Sequence, residues 1–320
     1  MGFTSIRSYF EPLECIIWCV NQDYTVPPVW EELRDLIAER DGGIVYLLGS
    51  TDLGKSTFCR YLVTELAARD TAAYLDCDTG QASIGPPATT GLALFSGEPP
   101  HLRQTILRFV GSTSPQGHLL QELVSTARLL DETRSLGTRY VVIDSPGWVM
   151  GSAASEFQVR MIDLLNPDML VAIQKEDELA GILANFRSRS GMTTRLIAPA
   201  PQAQVRSRFW RARYRQERFR SYFAGHTRAE IPLEGTGFHG KIPDSFRDDD
   251  WKNLLIALCD RDMRVISLAI VEKLDIPAGV LRIRVPPADL AQVSSIQVGS
   301  IKLEPGTEFT LYEERDTGSS

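Results

Sequence analysis

Eight consecutive residues, Gly49-Ser50-Thr51-Asp52-Leu53-Gly54-Lys55-Ser56, fit the pattern G-x-x-x-x-G-K-[ST], and they restrict the fold more than any other feature of the chain. A loop with this spacing wraps a phosphate only where it leaves a strand and enters a helix, so that successive backbone N–H groups point at the anion. Both flanks meet that demand. Ile44-Val45-Tyr46-Leu47-Leu48 reads as a buried parallel strand, and Phe58, Leu62, Val63 and Leu66 recur at helical spacing behind the loop. In this setting Lys55 reaches the β- and γ-oxygens of a nucleoside triphosphate and the Ser56 hydroxyl ligates Mg²⁺.

Strands and helices continue to alternate from there. Residues 1–42 form a short N-terminal segment with one helix over Pro28–Arg40, ended by Asp41-Gly42-Gly43. After the loop come strands at Ala73–Leu75, Thr105–Val110, Tyr140–Ile143, Met169–Ile173 and Arg195–Ala198. Between them lies a helix carrying Leu119, Leu123, Ala127 and Leu130 on one face, with Ser114 as its N-cap and Pro115 as its first residue. A second helix runs through Phe157, Met161 and Leu164 and closes at Asn166-Pro167. The alternation predicts an α/β fold, a P-loop NTPase parallel sheet flanked by helices on both faces, over residues 43–226. From about Thr227 the period changes. Val265–Val271, Val280–Val285 and Ile296–Leu303, separated by Pro, Gly and Asp, predict a small antiparallel β-rich domain over residues 227–320 that carries no chemical constellation of its own.

No run of eighteen apolar residues is present, and the first residues lack a basic stretch followed by an apolar one, so neither a membrane span nor a secretory leader is predicted. The five cysteines (Cys15, Cys19, Cys59, Cys77, Cys259) form no CxxC pair, which fits free thiols, mostly buried small side chains, in a reducing cytoplasm. A net charge of −7 excludes a surface that is basic throughout. Positive charge is instead concentrated. Ten arginines lie between Arg187 and Arg220 against the single acid Glu217. A run of this kind is often only a solvated face. Its stretch Arg206–Arg220 is interleaved with Phe209, Trp210, Tyr214 and Phe219, and helical spacing puts Arg211 and Arg215 on one face. Residues 201–225 therefore read as an arginine-rich lid able to close on a phosphoryl group with guanidinium contacts.

Open parallel sheets bind ligands at the carboxyl ends of their strands. Three such ends carry polar groups here: the phosphate loop, Asp76-Cys77-Asp78-Thr79-Gly80-Gln81, and Asp144-Ser145-Pro146-Gly147-Trp148. One carboxylate among Asp76, Asp78 and Asp144 suits the Mg²⁺ shell and another suits a base for an attacking hydroxyl. Trp148, at the mouth of the site, can stack on a base of a single strand; the competing reading buries it in the core.

Taken together, Gly49 to Thr57, Asp76-x-Asp78-x-Gly80-Gln81, Gly111-Ser112-Thr113-Ser114-Pro115, Ser145-Pro146-Gly147-Trp148, Arg211-x-x-x-Arg215 before Tyr222-Phe223, and Leu258-Cys259-Asp260-Arg261-Asp262 resemble, in motif and order, the Clp1/Grc3 family of polynucleotide 5′-hydroxyl kinases. The resemblance covers roughly residues 43–303. It implies that the loop residues Gly49, Ser50, Thr51, Asp52, Leu53, Gly54, Lys55, Ser56 and Thr57 bind ATP or another NTP, and that Ser56, Asp78 and Asp144 serve Mg²⁺. It further implies that Asp76 is the base for the 5′-hydroxyl of RNA or DNA, that Gln81, Ser145, Gly147 and Trp148 hold the strand end, and that Arg211 and Arg215 act with Lys55 in transfer. Two departures stand out. Ser145 replaces the family's usual Thr, and about forty residues precede the core where larger eukaryotic members carry a full β-domain. A non-catalytic ATP-binding scaffold of an RNA-processing complex and a switch ATPase are the alternative uses of the same loop.

Overall fold

A computed structural model describes residues 26–200, 203 and 205–304, and the backbone of 310–313; Cys15 and Cys19 lie outside the described residues. Helix α1 (Pro28–Ala38) starts with proline at its first position and ends before the glycine pair, as its sequence predicts. Strand β1 (Gly43–Gly49) leads through the phosphate loop into α2 (Lys55–Ala67). There follow β2 (Ala72–Asp76), β3 (Thr89–Ser96), β4 (His101–Phe109), α3 (Leu119–Ser135), β5 (Tyr140–Asp144), α4 (Ser152–Leu165), β6 (Met169–Ile173), the short α5 (Ala180–Leu183), β7 (Thr193–Ile197) and α6 (Arg208–Tyr222).

The first sheet has the order β4-β3-β2-β5-β1-β6-β7. Five strands are parallel, as the alternation predicts, and β1 lies between β5 and β6. The β3–β4 pair departs from the wholly parallel expectation. No helix separates β2 from β3, so the chain turns back and β3 pairs antiparallel with β2, and β4 with β3. Apolar side chains fill both faces. Trp30, Leu33, Phe58, Leu62 and Leu66 of α1 and α2 pack on one, and Leu129, Phe157, Met161 and Leu165 of α3 and α4 on the other.

Two local expectations are corrected. Helix α3 begins at Leu119 with His118 in the cap position, not at Ser114-Pro115; the Ser114 hydroxyl instead accepts from the Gln116 N–H at 3.3 Å within a bend. In α4 it is Leu165 that is buried, while Leu164 is half exposed. The buried face of α3 is also more polar than its leucine spacing suggests, since Glu122, Thr126 and Thr133 lie on it.

The second sheet is larger than the sequence indicates. It comprises β8 (Thr227–Pro232), β9 (Gly237–Gly240), β10 (Leu254–Cys259), β11 (Val265–Asp275), β12 (Val280–Val285), β13 (Ser295–Glu304) and β14 (Thr310–Glu313). Its main path, β14-β13-β10-β11-β12-β8, is antiparallel, and β9 adds parallel to β13. One face closes over Trp251, Leu254, Ile256 and Ile283. The other packs Leu255, Ala257 and Ile270 against Phe109 and against Phe219 and Phe223 from the end of α6. Arg264 adds a two-pronged bridge to Glu132 of α3 at 3.0 and 2.8 Å.

Phe219 is fully buried between α6 and the second sheet, whereas Phe209 on the same helix is 77% exposed. Phe219→Ala is expected to lower the unfolding free energy by about 3–5 kcal/mol in urea titrations. Phe209→Ala is expected to change it by less than about 0.5 kcal/mol. Equal effects would show that α6 is not rooted in this core.

Candidate active site

The phosphate loop is shaped by its backbone. Gly54 caps α2 with φ +92°, a conformation that disfavours any side chain, and Asp52 adopts φ +65°, which a short polar side chain tolerates. Lys55 opens α2 and is 6% exposed. Its Nζ donates to the Ser50 carbonyl at 3.0 Å, across the cradle that the loop N–H groups form.

Strands β2 and β5 run side by side with Asp76 level with Asp144, so both carboxylates stand at adjacent strand ends next to the loop. Asp76 Oδ1 accepts from the Asp78 N–H at 3.0 Å, and its Oδ2 accepts from the N–H groups of Ser83 and, at 3.0 Å, Ile84. Asp78 turns the following loop, its Oδ1 taking the N–H groups of Gly80 (3.0 Å) and Gln81 (2.9 Å). Asp144 Oδ2 accepts from the Tyr74 hydroxyl at 2.9 Å. Burial, then the charges of Asp144 and Asp78, push Asp76 up to about 8 against its backbone hydrogen bonds. Burial also raises Asp144, opposed by Lys55 and by a hydrogen bond with Ser56. Glu122 stands behind them with no exposure, no hydrogen-bond partner for either carboxyl oxygen among the described residues, and an affinity for its proton raised by burial and by Asp78 and Asp76.

Such crowding of buried carboxylates beside a phosphate cradle fits a hard divalent cation. Among the described residues no three His, Cys, Asp or Glu side chains converge on one point. Mg²⁺ suits that donor set, since it takes one or two protein ligands and completes its octahedron with water and phosphate.

The segment Ser145–Trp148 is pressed against the loop. A Cβ on Gly147 would lie 2.8 Å from the Thr51 backbone nitrogen, so only glycine fits there. Beneath it, the fully buried Gln158 of α4 donates Nε2 to the carbonyls of Pro146 (3.0 Å) and Trp148 (3.1 Å), while its Oε1 accepts from the Tyr46 hydroxyl at 2.8 Å. Ser145 is buried. Trp148 is half-buried, its ring 5.9 Å from that of Phe157, between the two readings of it. Sequence reasoning passed over Gln158 and Tyr46. Their signal was a polar atom at the centre of an apolar strand and on the buried face of an apolar helix.

Helix α6 crosses the site. Ser207 caps it, accepting from the Trp210 N–H at 3.1 Å. Arg211 Nη1 pairs with Asp52 Oδ2 at 3.0 Å, Arg206 Nη1 donates to Gln81 Oε1 at 3.4 Å, Tyr214 donates to the Ala82 carbonyl at 3.2 Å, and Arg218 donates to the Gly85 carbonyl. Arg215 is partly buried, and its Nε is buried with no hydrogen-bond partner among the described residues. Arg208 and Arg213 are exposed. The structure therefore brings together the loop, Asp76, Asp78, Gln81, Asp144, the Ser145–Trp148 segment and the helix bearing Arg211 and Arg215.

The family model described as the mRNA cleavage and polyadenylation factor CLP1 P-loop matches residues 49–225, more than half of the chain. The chain belongs to the CLP1 P-loop family. Nucleotide use comes with that membership. A polyribonucleotide 5′-hydroxyl-kinase of Pyrococcus furiosus is 34% identical over 195 residues, covering 59% of this chain and 53% of its own length, so the match spans about half of that relative. One of the same name from Pyrococcus abyssi is 25% identical over 325 residues, covering 84% of this chain and 90% of its own. The polyribonucleotide 5′-hydroxyl-kinase Clp1 of Homo sapiens is 31% identical over 210 residues, 58% of this chain and 46% of its own. Among solved structures, wild-type Clp1p in complex with Pcf11p superimposes with a TM-score of 0.67 at 13% identity, covering 86% of this chain and 79% of that one, which establishes the shared fold.

Gln158→Leu removes both donors that hold Pro146 and Trp148. A loss of about 1–3 kcal/mol per unsatisfied carbonyl is expected in thermal or urea unfolding. Amide exchange should quicken over residues 145–149 and stay unchanged over 219–223. Uniformly faster exchange would indicate general destabilisation instead.

Proposed function

We propose that the chain is an ATP- and Mg²⁺-dependent polynucleotide kinase that transfers the γ-phosphoryl group to the 5′-hydroxyl of a strand, with RNA as the acceptor its relatives' names favour. One observation carries this reading beyond nucleotide binding. Asp76 and Asp144 stand level at adjacent strand ends beside the phosphate loop, and the Ser145–Trp148 segment packs on that loop at Thr51, which supports two carboxylates with separate tasks, one for a metal and one for the proton of an acceptor. Lys55 and the arginine-rich helix that carries Arg211 and Arg215 bring positive charge to the migrating group. Ser56 and Asp144, with Asp78 nearby, would hold Mg²⁺, which would supply positive charge to the phosphates. Asp76, at the strand end beside the loop, is the base that receives the proton of the 5′-hydroxyl. Trp148 offers its ring to the terminal base, and Gln81, beside Arg206, serves the strand path. The exposed Arg208 and Arg213, with Trp210 40% exposed on the same helix, continue that path for phosphates farther along the strand. Among the described residues no helix is long and apolar enough to cross a membrane. The buried free thiols of Cys59, Cys77 and Cys259 suit the cytoplasm.

The deciding experiment incubates the protein with γ-labelled ATP and matched 5′-hydroxyl RNA and DNA oligomers and follows label on the strand. Label on neither strand, with phosphate released, would replace the kinase by an ATPase. Lys55→Ala should slow transfer a hundredfold or more, about 3 kcal/mol in the barrier; activity within threefold of the parent would remove the loop from the mechanism. Trp148→Ala should raise KM for the oligomer and leave KM for ATP unchanged, by a factor corresponding to about 1–3 kcal/mol of stacking. An unchanged KM with a lowered melting temperature would assign Trp148 to packing.

A further inference from the structure

Asp52 is out of place in a phosphate loop. The loop grips its ligand with backbone N–H groups and Lys55, and a carboxylate at the third variable position brings negative charge towards a polyanion. Its side chain is nevertheless only 5% exposed. The partners that bury it are all on the lid. Oδ2 accepts from Arg211 Nη1 at 3.0 Å and from the Arg206 backbone N–H at 2.9 Å, and Arg211 Nη1 also donates to the Arg206 carbonyl at 3.2 Å. One carboxylate oxygen thus ties together the first turn of α6 and the residue just before it. The far end of the same helix is fastened differently. Phe219 and Phe223 sit in the core of the second sheet, and the Tyr222 hydroxyl accepts from the Leu268 N–H at 2.9 Å. Between these two anchors lies Arg215, whose Nε is buried without a partner among the described residues.

We propose that Asp52 is a positioning residue that latches the N-terminal end of α6 onto the phosphate loop, so that Arg211 is committed to the latch and Arg215 is the guanidinium presented to the phosphoryl group. The role rests on the kinase reading above for its effect on turnover, but not for the latch itself. The left-handed backbone at Asp52 turns its carboxylate to the lid. With the Asp52 carboxylate nearly buried, an ionic hydrogen bond of this length holds one helix end in place and leaves the other end to the apolar core.

The test is a pair of double-mutant cycles and an exchange measurement on the full chain. Asp52→Asn is expected to lower kcat about tenfold or more with KM for ATP within about threefold, because the amide keeps the shape and loses the charge that binds Arg211. Its effect should be absorbed by Arg211→Ala, the double variant being no worse than about threefold below Arg211→Ala alone, and should multiply with that of Arg215→Ala. In nucleotide-free protein, Asp52→Asn should speed amide exchange over 206–211 and leave 219–223 unchanged. A kcat unaffected by Asp52→Asn, multiplication of the Asp52 and Arg211 effects, or unchanged exchange over 206–211 would each overturn the latch. Should the parent chain phosphorylate no oligomer, the kinase reading falls, and the exchange measurement alone decides the latch.

Discussion

Two carboxylates, Asp76 and Asp144, stand level at neighbouring strand ends where water is largely excluded, and the surrounding structure answers the charge problem they create. Burial raises both, and the charge of Asp144 raises Asp76 further. Three kinds of compensation are built in. Backbone N–H groups of residues 78, 83 and 84 converge on Asp76, the Tyr74 hydroxyl and Ser56 serve Asp144, and Lys55 supplies the nearby cation. The same parallel pairing of β2 with β5 and β5 with β1 that generates the crowding also delivers the phosphate loop beside it.

Much of this could be read from residue types alone. Ile44–Leu48 is buried almost throughout and β1 sits inside the sheet, because a strand covered on both faces has no polar side to show. The motif residues of the loop, of Asp76–Gln81 and of Ser145–Trp148 fall at the strand ends their spacing demanded. The β3–β4 hairpin was less legible. Thr89–Ser96 has no alternation, and its reversal is decided by the absence of a helix over 77–88 rather than by any local propensity. Leu254–Cys259 is likewise a continuous apolar run that periodicity cannot assign to strand or helix. The start of α3 is misplaced by its sequence because Ser114-Pro115 carries cap chemistry that the chain spends on a bend, and the helix is entered only at Leu119.

The polar atoms inside the core were the least visible. Gln158, Tyr46, Glu122 and Thr126 occupy positions that an apolar stripe would fill, and the partners of Gln158, Tyr46 and Thr126 lie far away in sequence. A buried Gln serving two carbonyls of another segment looks, in sequence, like any surface Gln. The placement of Gln158 nonetheless follows from the fold, since the loop at 145–148 is held in an irregular conformation and its carbonyls need donors.

The second sheet belongs to the same solution. The family model ends at residue 225, just beyond α6, yet the helix cannot keep its direction without the strands of the β-rich end. Its last turn is buried by Leu255, Ala257 and Ile270, and its Tyr222 hydroxyl is fastened to the backbone of β11. The sheet also meets the opposite wall of the site. The Ser300 N–H donates to the Gly111 carbonyl at 2.9 Å, and Arg108 reaches the Asp262 carbonyl at 2.8 Å. The β-rich end therefore braces both the bend at 111–115 and helix α6, which meets the phosphate loop through Arg211 and Asp52. Displacing it would shift Arg215 relative to Asp76 without touching either residue, so the second sheet bears on the geometry of the site through the helix it anchors.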